Sequence, residues 1–152
     1  MTTHESAAHK TAAADRFAVT DLANAYADAL DRRDWAALDD VFTEDVAADY
    51  NGQHVINGRR TVVGMIRGYL DACGPTQHLL GNHRVTVDGD RAELTVKMRV
   101  HHIGAGRHAA LTYECFGWYH ANAVRTAHGW RLATWRQEVT AELGTRDLFV
   151  VD

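Results

Sequence analysis

The chain is 152 residues long and carries 16 Lys and Arg against 20 Asp and Glu, a formal charge of -4. That length suits a single domain, which buries roughly two-thirds of its unfolded surface and can enclose a cavity. The basic residues are scattered (Arg32-Arg33, Arg59-Arg60, Arg99, Arg125) without interleaved aromatic platforms, and no run approaches the roughly 20 apolar residues of a membrane span, so neither nucleic acid nor a membrane is an expected partner.

The amino end, MTTHESAAHKTAA, has no apolar periodicity and reads as a mobile tail over residues 1–13, followed by one domain over 14–152. It lacks the basic-then-apolar order of a secretory signal, so the chain reads as cytoplasmic. The 2 cysteines, Cys73 in a helix-like segment and Cys115 in a strand-like one, have no framework spacing and read as free thiols in a reducing compartment. From Ala14 to Arg32 the residues Leu22, Ala25, Tyr26, Ala29 and Leu30 form a stripe at helical spacing, which predicts a first helix. Asp34 is an expected N-cap for a short second helix, WAALDDVF, with Trp35, Leu38 and Phe42 inward. VAADYNGQHVING then predicts a small hairpin: a strand from Val46 to Tyr50, an Asn51-Gly52 turn, and a strand from Gln53 to Ile56. Asn57-Gly58 opens a third helix, RRTVVGMIRGYLDAC, with Val62, Met65, Ile66, Tyr69 and Leu70 inward and its end at Gly74-Pro75.

The remainder alternates as strands: Leu79 to Val87, Ala92 to Ile103, Leu111 to Asn122 and Trp130 to Ala141. Three helices followed by sequential hairpins predict an α+β layer architecture. In the second long strand, Val96, Met98, Val100 and His102 share an apolar face, so His102 points inward and His101 outward. In the third, Tyr113, Cys115, Gly117 and Tyr119 alternate with Glu114, Phe116, Trp118 and His120, and parity alone does not choose between the faces. In the last, Trp135 shares a face with Arg131, Ala133 and Gln137.

The 10 histidines invite a metal reading, yet no HExxH or CxxC occurs, and His78 and His83 differ in strand parity, so no metal is expected. A glycine-rich phosphate loop and a G-x-S-x-G elbow are also missing from the sequence. His78, taken alone, reads as a histidine hydrogen-bonded at the start of a strand. Asp31 lies on a stripe with Asn24 and Asp28 that could face water, and Asp28 is the reserve candidate on the same face.

Together, ANAYADALDRRDWAALDDVFTEDVAADY, the third helix, and TQHLLGNHRVTVDGDRAEL resemble the SnoaL-like branch of the nuclear transport factor 2-like superfamily, over about Phe17 to Ala141. Within it the chain is most similar to the scytalone dehydratase, lindane dehydrochlorinase and bile-acid dehydratase type. The resemblance implies a cone-shaped α+β barrel, with a curved mixed or antiparallel sheet wrapped around the three helices and an apolar pocket. It implies a catalytic dyad of Asp31 and His78, with Tyr50 polarising a substrate carbonyl and His102 as the second histidine, either an acid or a structural group. Leu30 stands where those dehydratases carry a tyrosine beside the aspartate. The pocket asparagine of the family falls near Tyr119 or Trp118, and its pocket arginine near Trp135. The expected substrate wall is therefore Tyr26, which also reads as core, with Met98, Cys115, Tyr119 and Trp135.

The function implied is a cofactor-independent lyase. His78 abstracts a proton from a small, apolar, oxygenated substrate and water is eliminated, with isomerisation or cyclisation as the alternatives. A homodimer or homotrimer is implied by the same resemblance. A non-catalytic binding module, or a dimerisation domain using the Glu114, Phe116, Trp118 and His120 face, are the readings from other classes.

Overall fold

The computed structural model describes the backbone of residues 2–150 and the side chains of residues 11–150, while Met1, Val151 and Asp152 lie outside it. Helix α1 (Thr2–Arg32) starts before the expected Ala14. The segment read as a tail is rich in alanine, the strongest helix former, and continues the helix without needing an apolar stripe. Its inner face buries Val19, Leu22, Ala23, Tyr26, Ala29 and Leu30. The helix closes on the backbone bonds Arg33 N–H to Leu30 O, 3.2 Å, and Asp34 N–H to Ala29 O, 2.9 Å, with Arg33 at φ 57°. These are the paired bonds of a Schellman cap, whose left-handed residue is usually glycine.

Asp34 then caps a 3-10 turn, Trp35–Asp40, by accepting from Ala37 N–H. Phe42, expected at the end of a helix, instead opens strand β1 (Phe42–Tyr50). Strand β2 (Val55–Asn57) pairs antiparallel with β1, so the expected hairpin forms, with the loop running from Asn51 to His54. Helix α2 (Arg59–Leu70) ends before Cys73, which starts strand β3 (Cys73–Asp88) with Gly74 and Pro75 inside the strand. Pro75 is tolerated there because β3 is an edge, where an absent N–H leaves no ladder bond unmade.

Strands β4 (Arg91–Gly104), β5 (Thr112–Thr126) and β6 (Gly129–Gly144) complete a sheet in the order β2-β1-β6-β5-β4-β3. All pairs are antiparallel except β1 with β6. The sheet is mixed and open, and α1, α2 and the 3-10 turn fill its concave side. A short 3-10 segment, Arg146–Phe149, follows β6.

Register shifts decide which side chains face inward. A shift between Gly81 and Arg84 brings His83, with Val85 and Val87, to the same partly buried face as His78, correcting the parity that separated the histidines. Opposite the shift between Asn122 and Ala123, β6 buries Trp130 and Leu132 and then Trp135, residues of opposite parity in a regular strand. Midway along α1, Asp15 takes two bonds from Arg125, at 3.0 and 2.8 Å, and one from Trp130 Nε1 at 3.0 Å, tying the helix to β5 and β6.

Gly117 sits at another shift, and a Cβ there would fall inside the van der Waals contact of the Glu138 carbonyl. Gly117→Ala should therefore lower stability by on the order of 3 kcal/mol or prevent folding. Gly81→Ala, with no atom near the added methyl, should keep the wild-type midpoint in urea titration; equal midpoints for the two variants would contradict the packing.

Candidate active site

Asp31 occupies the last turn of α1 and His78 the start of β3, 47 residues apart in sequence, and the packing of the helix against this strand brings them together. Asp31 Oδ1 lies 2.6 Å from His78 Nδ1, and Oδ2 accepts the His78 backbone N–H at 2.8 Å. The Thr76 hydroxyl donates to Oδ1 at 2.9 Å. Burial alone would push the Asp31 carboxyl up. The hydrogen bond and charge of His78, its backbone N–H and the Thr76 hydroxyl together outweigh burial and hold it below the usual carboxylate value of 3.8. An ionised acceptor fixes the tautomer: Nδ1 carries the hydrogen, and Nε2 is left with the lone pair. The His78 side chain is 4% exposed and that of Asp31 23%. Asp28, the reserve candidate, is exposed and pairs with Arg32 at 3.6 Å.

His78 lines a cavity of about 490 Å³, within the size range of small-molecule sites. The wall also includes Tyr26, Tyr50, Cys115, Tyr119 and His102, all expected there. Tyr26 and Tyr50 share a hydroxyl–hydroxyl hydrogen bond of 3.1 Å. Desolvation pushes the Tyr26 phenol up to about 12 and those of Tyr50 and Tyr119 well above their ordinary value, so all three are neutral donors. Burial likewise raises the Cys115 thiol to about 11, so it enters the cavity as a weak neutral group rather than a thiolate.

Two expected wall residues are not on the wall. Met98 is buried in β4, behind the cavity surface. Trp135 is 0% exposed and supports the wall from behind, with its ring centroid 4.5 Å from those of both Tyr26 and Tyr119. Tyr26 and Tyr119 cover it from the cavity side, and Gln137 and Val139, further along β6, reach the cavity instead.

His102 is buried, and its ring centroid lies 6.2 Å from that of His78. Its Nδ1 meets the Tyr113 carbonyl at 3.2 Å. A carbonyl can only accept, so Nδ1 carries the hydrogen and Nε2 is an acceptor. Burial, helped by the nearby His78, pushes its pKa down to about 4. At neutral pH it is an uncharged acceptor.

Several lining residues were not singled out in the sequence. Phe149, from the 3-10 segment after β6, has its ring 5.7 Å from Tyr69, 5.2 Å from His102 and 5.4 Å from Tyr113, closing one side of the cavity. Arg146 also reaches the wall, paired with Glu142, which accepts from the Tyr113 hydroxyl at 2.9 Å. This stretch has neither helical nor strand periodicity, so its sequence carries no signal of a cavity wall. Among the described residues no three His, Cys, Asp or Glu side chains gather as a metal site would require.

The depressed His102 value links stability to pH. A group whose folded value lies below its unfolded one stabilises fully above the unfolded value, here 6.5, and that contribution is lost as pH falls through about 4. Of the order of 3 kcal/mol should disappear across that window. Urea midpoints measured from pH 7 to pH 4 should fall in the wild type and fall less in His102→Gln; parallel curves would refute the buried neutral assignment.

Residues 11–136 match the SnoaL-like domain. An uncharacterised protein of Mycobacterium tuberculosis is 34% identical over 119 residues, covering 78% of this chain and 80% of its own length. A candidate scytalone dehydratase from Novosphingobium aromaticivorans superposes with TM-score 0.78 at 17% identity, over 90% of this chain and 91% of that one. Hexachlorocyclohexane dehydrochlorinase from Novosphingobium barchaimii superposes with TM-score 0.76 at 14% identity, over 87% and 90%.

Proposed function

The chain belongs to the SnoaL-like domain family, and we propose that it is a cofactor-independent lyase that eliminates water from a small uncharged, oxygenated molecule. The observation that carries this reading is the 2.6 Å bond from His78 Nδ1 to an ionised Asp31, made by a ring that lines an otherwise largely apolar cavity. The names of the structural relatives support elimination: one is a candidate dehydratase, and the other a dehydrochlorinase.

In this reading the substrate is a β-hydroxy ketone bound with its carbonyl toward the Tyr26–Tyr50 hydroxyl pair. His78 Nε2 removes the proton on the carbon between the carbonyl and the hydroxyl-bearing carbon. The electron pair of that C–H bond moves onto the carbonyl oxygen, where the one phenol of the pair whose O–H is not given to its partner donates to the developing oxyanion. Asp31 stabilises the imidazolium. Collapse of the enolate forms the C=C bond and breaks the C–O bond, and the departing hydroxide takes the proton that His78 holds, leaving as water. His102 is not the acid of this scheme, because its one N–H is committed to the Tyr113 carbonyl. Its Nε2 instead accepts a hydrogen bond from a substrate hydroxyl. Return of the same proton to carbon rather than oxygen would make the reaction an isomerisation.

The test is turnover of a bicyclic aryl β-hydroxy ketone, a hydroxytetralone, whose dehydration gives a naphthol followed by absorbance. A positioned base contributes roughly 10²–10⁴ in rate, so His78→Gln should lose about that factor while keeping the wild-type melting curve, and Asp31→Asn should fall comparably. Unchanged turnover in His78→Gln would remove the proposal.

A further inference from the structure

We propose that Arg33 is a positioning residue for the base: its guanidinium, acting through the Thr76 hydroxyl, holds the Asp31 carboxylate on His78 Nδ1. This rests on the reading of His78 as the base. Arg33 fills the left-handed position that ends α1, at φ 57°, where glycine is the residue the backbone favours. The cap itself is closed by main-chain N–H groups, so the cap does not need the arginine side chain.

The guanidinium has four acceptors. It donates to Leu30 O at 2.6 Å, Leu70 O at 3.2 Å, Gly74 O at 2.8 Å and Thr76 Oγ1 at 2.8 Å. The three carbonyls belong to the end of α1, the end of α2 and the start of β3, the elements whose junction sets the distance between Asp31 and His78. The fourth bond sets a direction. A guanidinium only donates, so the Thr76 oxygen accepts from it and the hydroxyl hydrogen is free to point at Asp31 Oδ1, 2.9 Å away. With the His78 backbone N–H on Oδ2, the carboxylate is held on both oxygens, and its remaining strong partner is the His78 ring. A lysine could not replace this arrangement, since a single ammonium does not span four acceptors in a plane.

The experiment needs no ligand for its first arm. The ring proton on His78 Nδ1, in a short charge-assisted bond, is observed as a low-field resonance in the histidine-labelled chain and assigned by its disappearance in His78→Gln. Thr76→Val keeps the three carbonyl clamps and removes only the relay; Arg33→Gly suits the backbone and removes the guanidinium. Both should move the resonance upfield or lose it to solvent exchange, and methylguanidine added to Arg33→Gly should restore it. On the hydroxytetralone, kcat should fall roughly 10–100-fold with KM unchanged, the size expected for a base displaced by a fraction of its reach. A resonance unmoved in Thr76→Val would overturn the proposal, even if Arg33→Gly fails to fold. Full turnover by His78→Gln would instead defeat the base assignment alone, with the resonance still deciding what Arg33 does.

Discussion

A carboxylate sits badly in the last turn of a helix, where the open carbonyls present the negative end of the helix dipole. Asp31 sits there because β3 supplies donors to both of its oxygens: the Thr76 hydroxyl, the His78 main-chain N–H and the His78 ring. This one exchange fixes the angle between α1 and the edge strand, and with it the floor of the cavity. It also places Cys73, Gly74 and Pro75 in a strand, since β3 must begin early enough to present Thr76 at the helix end. The remaining contacts around the cavity are arranged on that junction.

The wall above it is nearly free of uncompensated charge. The phenols of Tyr26, Tyr50 and Tyr119 stay protonated, His102 is neutral, and Arg146 is paired with Glu142. Proton transfer to His78 would turn a negative dyad into a neutral pair and leave the negative charge on the bound molecule. In a dry cavity that displaced charge is stabilised only by groups already pointing at it. The Tyr26–Tyr50 hydroxyl pair is such a group, with the Tyr26 ring packed at a tilt against the buried Trp135, on which Tyr119 stacks. Trp135 thus serves the site from one layer back.

What could be read from the sequence divides along physical lines. Where strands are regular, alternation groups side chains: His102 lies on the inward face of β4 as its apolar neighbours suggest, and Tyr113, Cys115 and Tyr119 share one face of β5, which parity alone left unchosen and the structure turns inward. Where a strand bulges, parity resets without a distinctive residue to announce it, and so Trp130 and Leu132 are buried alongside Trp135, and His83 joins the face of His78. Asp31 and Asp28 could not be separated by periodicity because they lie on adjoining flanks of α1; Asp31 follows buried Ala27 by one turn, whereas Asp28 follows exposed Asn24. Arg33 was the least legible. A basic residue at a helix end is the commonplace pattern, and neither its left-handed backbone nor its reach to two other elements leaves a mark in local sequence.

The two cavity histidines show how neighbours rather than residue type assign a role. Both put a hydrogen on Nδ1 and leave Nε2 bare, yet one donates to a carboxylate and the other to a carbonyl. A carbonyl orients the ring but adds no full charge, so protonating His102 gains little and costs its desolvation, which the covering ring of Phe149 increases. A carboxylate orients the ring and also stabilises its protonated form. Of two imidazoles 6.2 Å apart, only His78 has a carboxylate against its ring, and the pairing with Asp31 is what separates them.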